Sequence, residues 1–177
     1  VRALLDLDNG QQLRYRDSRK FGRFYLVDDV ERVVARLGPE PLSEAFTPLE
    51  LFNRLQGRRT AIKTLLLDQR VVAGLGNIYV SEILFLSRVR PTRRMPRLSR
   101  SECDAIVAAT RVIIEEAIEH RGTSVSDFLD GIGRPGSYQW RRRVYNREGE
   151  PCPLCGRTIR SRAIAQRSSF FCDRCQR

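Results

Sequence analysis

Residues 151–177 read PCPLCGRTIRSRAIAQRSSFFCDRCQR, with Cys152 and Cys155 forming one C-x2-C pair and Cys172 and Cys175 another, sixteen residues apart. Each C-x2-C turn aims two thiolates at one point, and a hairpin-sized stretch brings the pairs together. That spacing suits one tetrahedral zinc ion. The stretch between is rich in arginine and poor in apolar bulk, so the metal would supply its folding energy. Two disulfides are the alternative, and they need an oxidising compartment. Four thiolates close the coordination sphere, so the expected zinc is structural and the finger acts through its side chains.

Working outward, charge follows the finger. Residues 134–177 carry eleven arginines against Glu148, Glu150 and Asp173, a net +8 of the chain's +11. Such a field attracts polyphosphate backbones; a solubilising face is the plainer reading. Apart from Lys20 and Lys63, every basic residue except His120 is arginine. At 177 residues the chain has room for one ordinary domain plus a small module. No stretch reads as a membrane span or a signal peptide. Val1 falls inside an apparent strand, so the chain reads as a fragment.

ALLDL (3–7) and QLRYR (12–16) flank Asp8-Asn9-Gly10, a hairpin signature, and Phe21–Val27 reads as a third strand. Between them, Arg19 and Lys20 precede Phe21 at a turn. Two cations beside an aromatic suit a nucleic-acid groove, and a solvated turn explains them equally. LGPEPLSEAF (37–46) marks a connector. Helices are expected from Thr47-Pro48, over about 59–68, over about 77–87, and from Ser99 to about His120. The last has an apolar stripe of Cys103, Ile106, Val107, Ile113, Ile114, Ala117 and Ile118. Cys103 therefore reads as core. The sequence QRVVAGLG (69–76) ends at Asn77, read as an N-cap. Glycines and free amides there favour a phosphate at Gly76-Asn77, with Arg58 and Lys63 on the preceding helix. A tight helix–helix turn is the competing account.

Together, TAIKTLLLDQRVVAGLGNIYVSEILF, DGIGRPGSYQ and VYNREGEPCPLCG…IAQRSSFFCDRCQ resemble the formamidopyrimidine-DNA glycosylase and endonuclease VIII family. The run Arg19-Lys20-Phe21-Gly22 and the glycine-rich loop favour the formamidopyrimidine branch. The resemblance implies an α+β chain with several parts: the end of a β-sandwich (1–37), a linker (38–46), a helix–two-turn–helix domain (47–144) and a zinc-ribbon hairpin (145–177). It implies excision of oxidised purines (8-oxoguanine, formamidopyrimidines) from duplex DNA, with abasic-site lyase activity, by a cytoplasmic bacterial monomer. Asn77 and the amides at Gly76 would bind phosphate beside the damaged nucleotide, and Lys63 and Arg58 would contact DNA. Arg167, at the tip of the finger hairpin, would grip the same phosphates and assist the second strand-cleaving elimination. Arg19 would pair with the orphaned base, Phe21 would wedge the stack, and loop 130–139 would cover the flipped purine. The family's proline nucleophile and its glutamate have no counterpart here, so this chain alone is expected to be inactive and to give no borohydride-trapped adduct with abasic DNA. A catalytically inactive zinc DNA-binding protein of the same descent, or a zinc-ribbon RNA binder, are the other readings.

Overall fold

The computed structural model describes residues 3–17, 20–124 and 133–177. They form two units, residues 1–35 and 36–177. In the first, β1 (Ala3–Asp6) pairs antiparallel with β2 (Gln12–Tyr15), Ala3 opposite Tyr15 and Asp6 opposite Gln12. Gly10 closes the turn at φ 77°, the conformation the Asp-Asn-Gly run offers. Phe21–Val27 does not form the expected strand. Asp17 explains part of this: its carboxylate accepts the amides of Lys20 (2.9 Å) and Gly22 (2.7 Å) and curls the chain. No described strand runs beside 21–27 to complete a ladder. The aromatic pattern is used otherwise, with Phe24 edge-on to Tyr15 at 4.8 Å. A single turn, α1 (Glu31–Val34), ends this unit.

The second unit is built on three longer helices. Thr47 caps α2 (Pro48–Leu55), its hydroxyl accepting the Glu50 amide at 3.1 Å, with Pro48 at the first position. Leu51 and Leu55 face the core, whereas Leu49 faces solvent. Ser99 and Glu102 cap each other's amides at the start of α5 (Arg100–Glu119), a full capping box. Cys103, Ile106, Val107, Ile113 and Ala117 are buried on its inner face. Ile118 departs from the expected stripe and is exposed, because the helix turns it past the end of the core.

Between them lie α3 (Ile62–Leu66), shorter than expected, and α4 (Asn77–Leu86). Apolar residues surround α4 on every side, as befits a helix inside the core. Val80, Ile83 and Leu84 join the main cluster with α2 and α5. Phe85 faces the other way, into a second cluster with Val144, Ile159, Phe170 and Cys172. One helix thus seats both the helical core and the finger, whose strands are β3 (Arg160–Ile164) and β4 (Arg167–Phe171). No helix among the described residues is long and apolar enough to cross a membrane.

Candidate nucleic-acid interface

The four cysteines come together as their spacing requires. Their sulfur atoms all lie within 4.8 Å of one another, with Cys152 and Cys175 3.9 Å apart and Cys155 and Cys172 3.6 Å apart. Tetrahedral zinc with thiolate bonds of about 2.3 Å sets its sulfurs about 3.8 Å apart. A disulfide needs about 2.05 Å. The residues present therefore fit zinc and exclude the disulfide alternative. Outside the thiolates, Asp173 forms ion pairs with Arg157 (2.9 Å) and Arg160 (3.2 Å) and braces the second turn against the first.

The finger is stitched to the helices at two places. Gln176 donates to the Val89 carbonyl and accepts the Cys172 amide, both at 2.9 Å. In a second tie, the fully buried Glu82 of α4 accepts three successive amides, from Arg143 (2.7 Å), Val144 (3.0 Å) and Tyr145 (2.8 Å). Burial raises its pKa, opposed by those amides and by Arg143. Glu82 escaped the sequence reading. A lone carboxylate in the otherwise apolar NIYVSEILFL was the available signal, since a buried charge must find partners.

This docking assembles the polar cluster. Lys63, fully buried on α3, donates to the Ser168 carbonyl and the Ser169 hydroxyl, both at 2.7 Å. Asn77 donates its side-chain amide to the same Ser168 carbonyl at 3.2 Å. Arg167, the adjoining residue, is exposed at the start of β4, just past the hairpin turn at Ala165 and Gln166. Burial, and then the charge of Arg167, push the Lys63 ammonium down to about 8. Lys63, Asn77 and Arg167 therefore form one group spanning two modules.

Three sequence readings are corrected in detail. Gly76, extended at φ −112° and ψ 177°, is the N-cap of α4; Asn77 is the first helical residue, and its side chain serves the finger instead. Gly74, at φ 77°, makes the sharp approach, and a Cβ placed on Gly76 would meet nothing within 4 Å, so that face is open. Arg58 precedes α3 rather than lying on a helix, and its guanidinium bonds to Asp68 at 3.1 Å. Arg70 first, and Arg58 after it, hold that carboxyl well below the usual range. Arg167 follows the hairpin tip rather than occupying it.

Phe21 is exposed in the first unit. Arg19 and residues 130–132 of the 130–139 loop lie outside the described residues. The remainder of that loop is anchored: Ser137 donates to the His120 carbonyl (2.8 Å), Tyr138 to Gly122 (3.0 Å), and Tyr138 is fully buried against Tyr79. Gly136 is obligatory there, because a Cβ would stand 2.2 Å from the Gly122 carbonyl oxygen.

Residues 37–129 match the formamidopyrimidine-DNA glycosylase H2TH domain, and residues 149–177 match the zinc finger found in FPG and IleRS. The chain belongs to the formamidopyrimidine-DNA glycosylase family. It is 47% identical to the formamidopyrimidine-DNA glycosylase of Desulforamulus reducens over 99% of this chain and 65% of that protein. For the same enzyme of Thermomicrobium roseum the identity is 48%, over 98% and 61%. The chain thus spans less than two thirds of these relatives. The crystal structure of MutM (Fpg) from Thermus thermophilus superimposes with a TM-score of 0.88 at 41% identity, covering 98% of this chain and 67% of that one. A complex of Lactococcus lactis Fpg with abasic-site DNA gives 0.84 at 34%, covering 93% and 62%. With the family and the sulfur geometry in agreement, Cys152, Cys155, Cys172 and Cys175 bind a single structural zinc.

Proposed function

We propose that this chain is the DNA-gripping, lesion-presenting part of a base-excision-repair glycosylase and abasic-site lyase, acting on oxidised purines in duplex DNA. The observation that carries the reading is the shared Ser168 carbonyl: Lys63 and Asn77 meet on it beside Arg167. A base inside a duplex is unreachable, and turning it out costs a few kcal/mol. The exposed Arg167 and the start of α4 at Asn77 hold the backbone of the extruded nucleotide and offset that cost, and the buried Lys63 ammonium fixes Ser168 behind them. The first amides of α4 lie ahead of its first internal bond, from Val80 to the Gly76 carbonyl (3.0 Å), at the helix start where a Cβ on Gly76 would meet nothing within 4 Å. They add a partial positive charge for a phosphate. Arg167 fixes the phosphate flanking an abasic sugar and, by stabilising its charge as it departs, assists the second elimination. Arg19 takes the orphaned partner base, Phe21 fills the gap in the stack, and Arg58 joins the contacts once drawn from Asp68. None of these contacts reads much sequence, which suits a scanner for damage. The protein acts as a monomer in the cytoplasm, on the chromosome.

Fluorescence anisotropy with duplexes bearing 8-oxoguanine, an abasic analogue or no lesion tests the reading. About five phosphate contacts give a log–log salt slope of roughly −4 to −5. Loss of one charge-assisted contact in Arg167→Ala removes about 1.5–3 kcal/mol, at least roughly tenfold in affinity. A flat salt response, or an unchanged Arg167→Ala variant, would overturn it.

A further inference from the structure

Beside the grip, the second unit carries two adjoining clefts. One, of about 550 Å³, lies between α3 and the finger hairpin and includes Arg59, Thr64, Arg94, Arg162 and Ala165. The next, of about 590 Å³, includes Arg90, Arg93, Arg94 and Arg97. They share Thr92 and Arg94 and so form one continuous groove. It begins at Thr64, next to Lys63, and at Ala165, two residues before Arg167. Its floor is fixed: the Ile62 amide donates to the Arg93 carbonyl at 2.7 Å, and Ala61 bridges Arg94.

No carboxylate side chain lines either cleft. Arg93 has Glu102 at 2.9 Å, and Arg90 lies over the Phe171 ring at 5.6 Å. Arg59, Arg94, Arg97 and Arg162 are exposed and have no carboxylate partner among the described residues. Like charges gathered on rigid backbone repel one another, and a polyanion relieves that repulsion. A row of cations, rather than a single pocket, fits a repeating phosphate chain, and guanidinium forks match phosphate oxygens. We propose that this arginine groove is a second backbone track, which holds the DNA flanking the nucleotide gripped at Asn77 and Arg167. The inference rests on the function proposed above and extends its footprint.

The test compares the whole chain with an Arg94→Ala/Arg97→Ala/Arg162→Ala variant and with Asn77→Ala. Each is titrated with abasic-analogue duplexes of roughly 10 and 24 base pairs, using the length scale of backbone charge. Circular dichroism and melting should be unchanged in the triple variant, since all three side chains are exposed. On the long duplex its salt slope should shrink by about 2–3, at about 0.9 per lost contact, with affinity falling about tenfold or more. On the short duplex the loss should stay below about twofold, while Asn77→Ala weakens both. Two results would overturn the groove: no change on the long duplex, or equal losses at both lengths, which would mean charge acting at a distance. If Asn77→Ala alters neither length while the triple variant still weakens the long one, the grip reading falls and the groove stands.

Discussion

Replacing Glu82 tests how the finger is held in place. Its carboxylate is fully buried and accepts the amides of Arg143, Val144 and Tyr145 at 2.7, 3.0 and 2.8 Å. Alanine strands all three donors and leaves Arg143 with Glu116 alone, at 3.0 Å. A stranded buried donor costs about 1–3 kcal/mol, and breaking a buried charged network about 3–5 kcal/mol. Val144 is fully buried, whereas Arg143 and Tyr145 are half-buried and recover part of the loss from water. Glu82→Ala should therefore cost about 3–5 kcal/mol, a fall in Tm of roughly 6–20 °C for a chain of this size. Glutamine is the informative partner. Its carbonyl can keep Val144 and Tyr145, which share one oxygen, but its NH2 group faces the Arg143 amide donor to donor. That variant should lose about 1.5–3 kcal/mol, between alanine and the parent. Far-UV circular dichroism melts on zinc-loaded protein read both. If alanine melts within about 2 °C of the parent, or below glutamine by nothing measurable, the clamp is not what holds the finger.

Lys63 should make both stability and DNA binding depend on pH. Its folded value of about 8 lies below the ordinary 10.5, so its neutral form is favoured in the fold: stability gains as pH rises from about 8 to 10.5 and is lost as pH falls through 8. In the proposed function the charge on Lys63 supports the DNA site from behind Ser168, so affinity for DNA should drop above pH 8, and Lys63→Met should flatten both profiles in melting and anisotropy titrations. Stripping the zinc with a strong chelator should unfold β3 and β4 and leave Lys63 and Asn77 without their Ser168 partner; metal analysis with anisotropy should show at least about tenfold weaker binding per lost charge-assisted contact. Ser99→Ala removes one half of the capping box and should cost about 1 kcal/mol, or about 2–4 °C in the same melts, without touching DNA affinity.

Local chemistry was legible wherever the answer lay within a few residues. The cysteine spacing announced a four-thiolate metal site, Thr47-Pro48 and Ser99 marked helix starts, and Cys103 lay on the buried stripe. What escaped depended on distant partners. Asn77 has an N-cap's side chain, yet a carbonyl 91 residues away claims it and Gly76 takes the cap. Phe21–Val27 has the composition of a strand, but composition does not supply a neighbour for its backbone. Arg58 and Lys63 look equivalent in sequence; Asp68 engages one, and burial behind β4 distinguishes the other.

Because Lys63 and Asn77 are held by the main chain of β4, the finger is not a detachable reader. Grafted onto another scaffold with its four cysteines intact, it would carry Arg167 along and leave the lysine and the asparagine behind. A chimaera that keeps the metal would thus inherit a folded ribbon without the Lys63–Asn77 cluster on which the proposed grip depends, and only exchange of α3, α4 and the ribbon as one block would carry that cluster across.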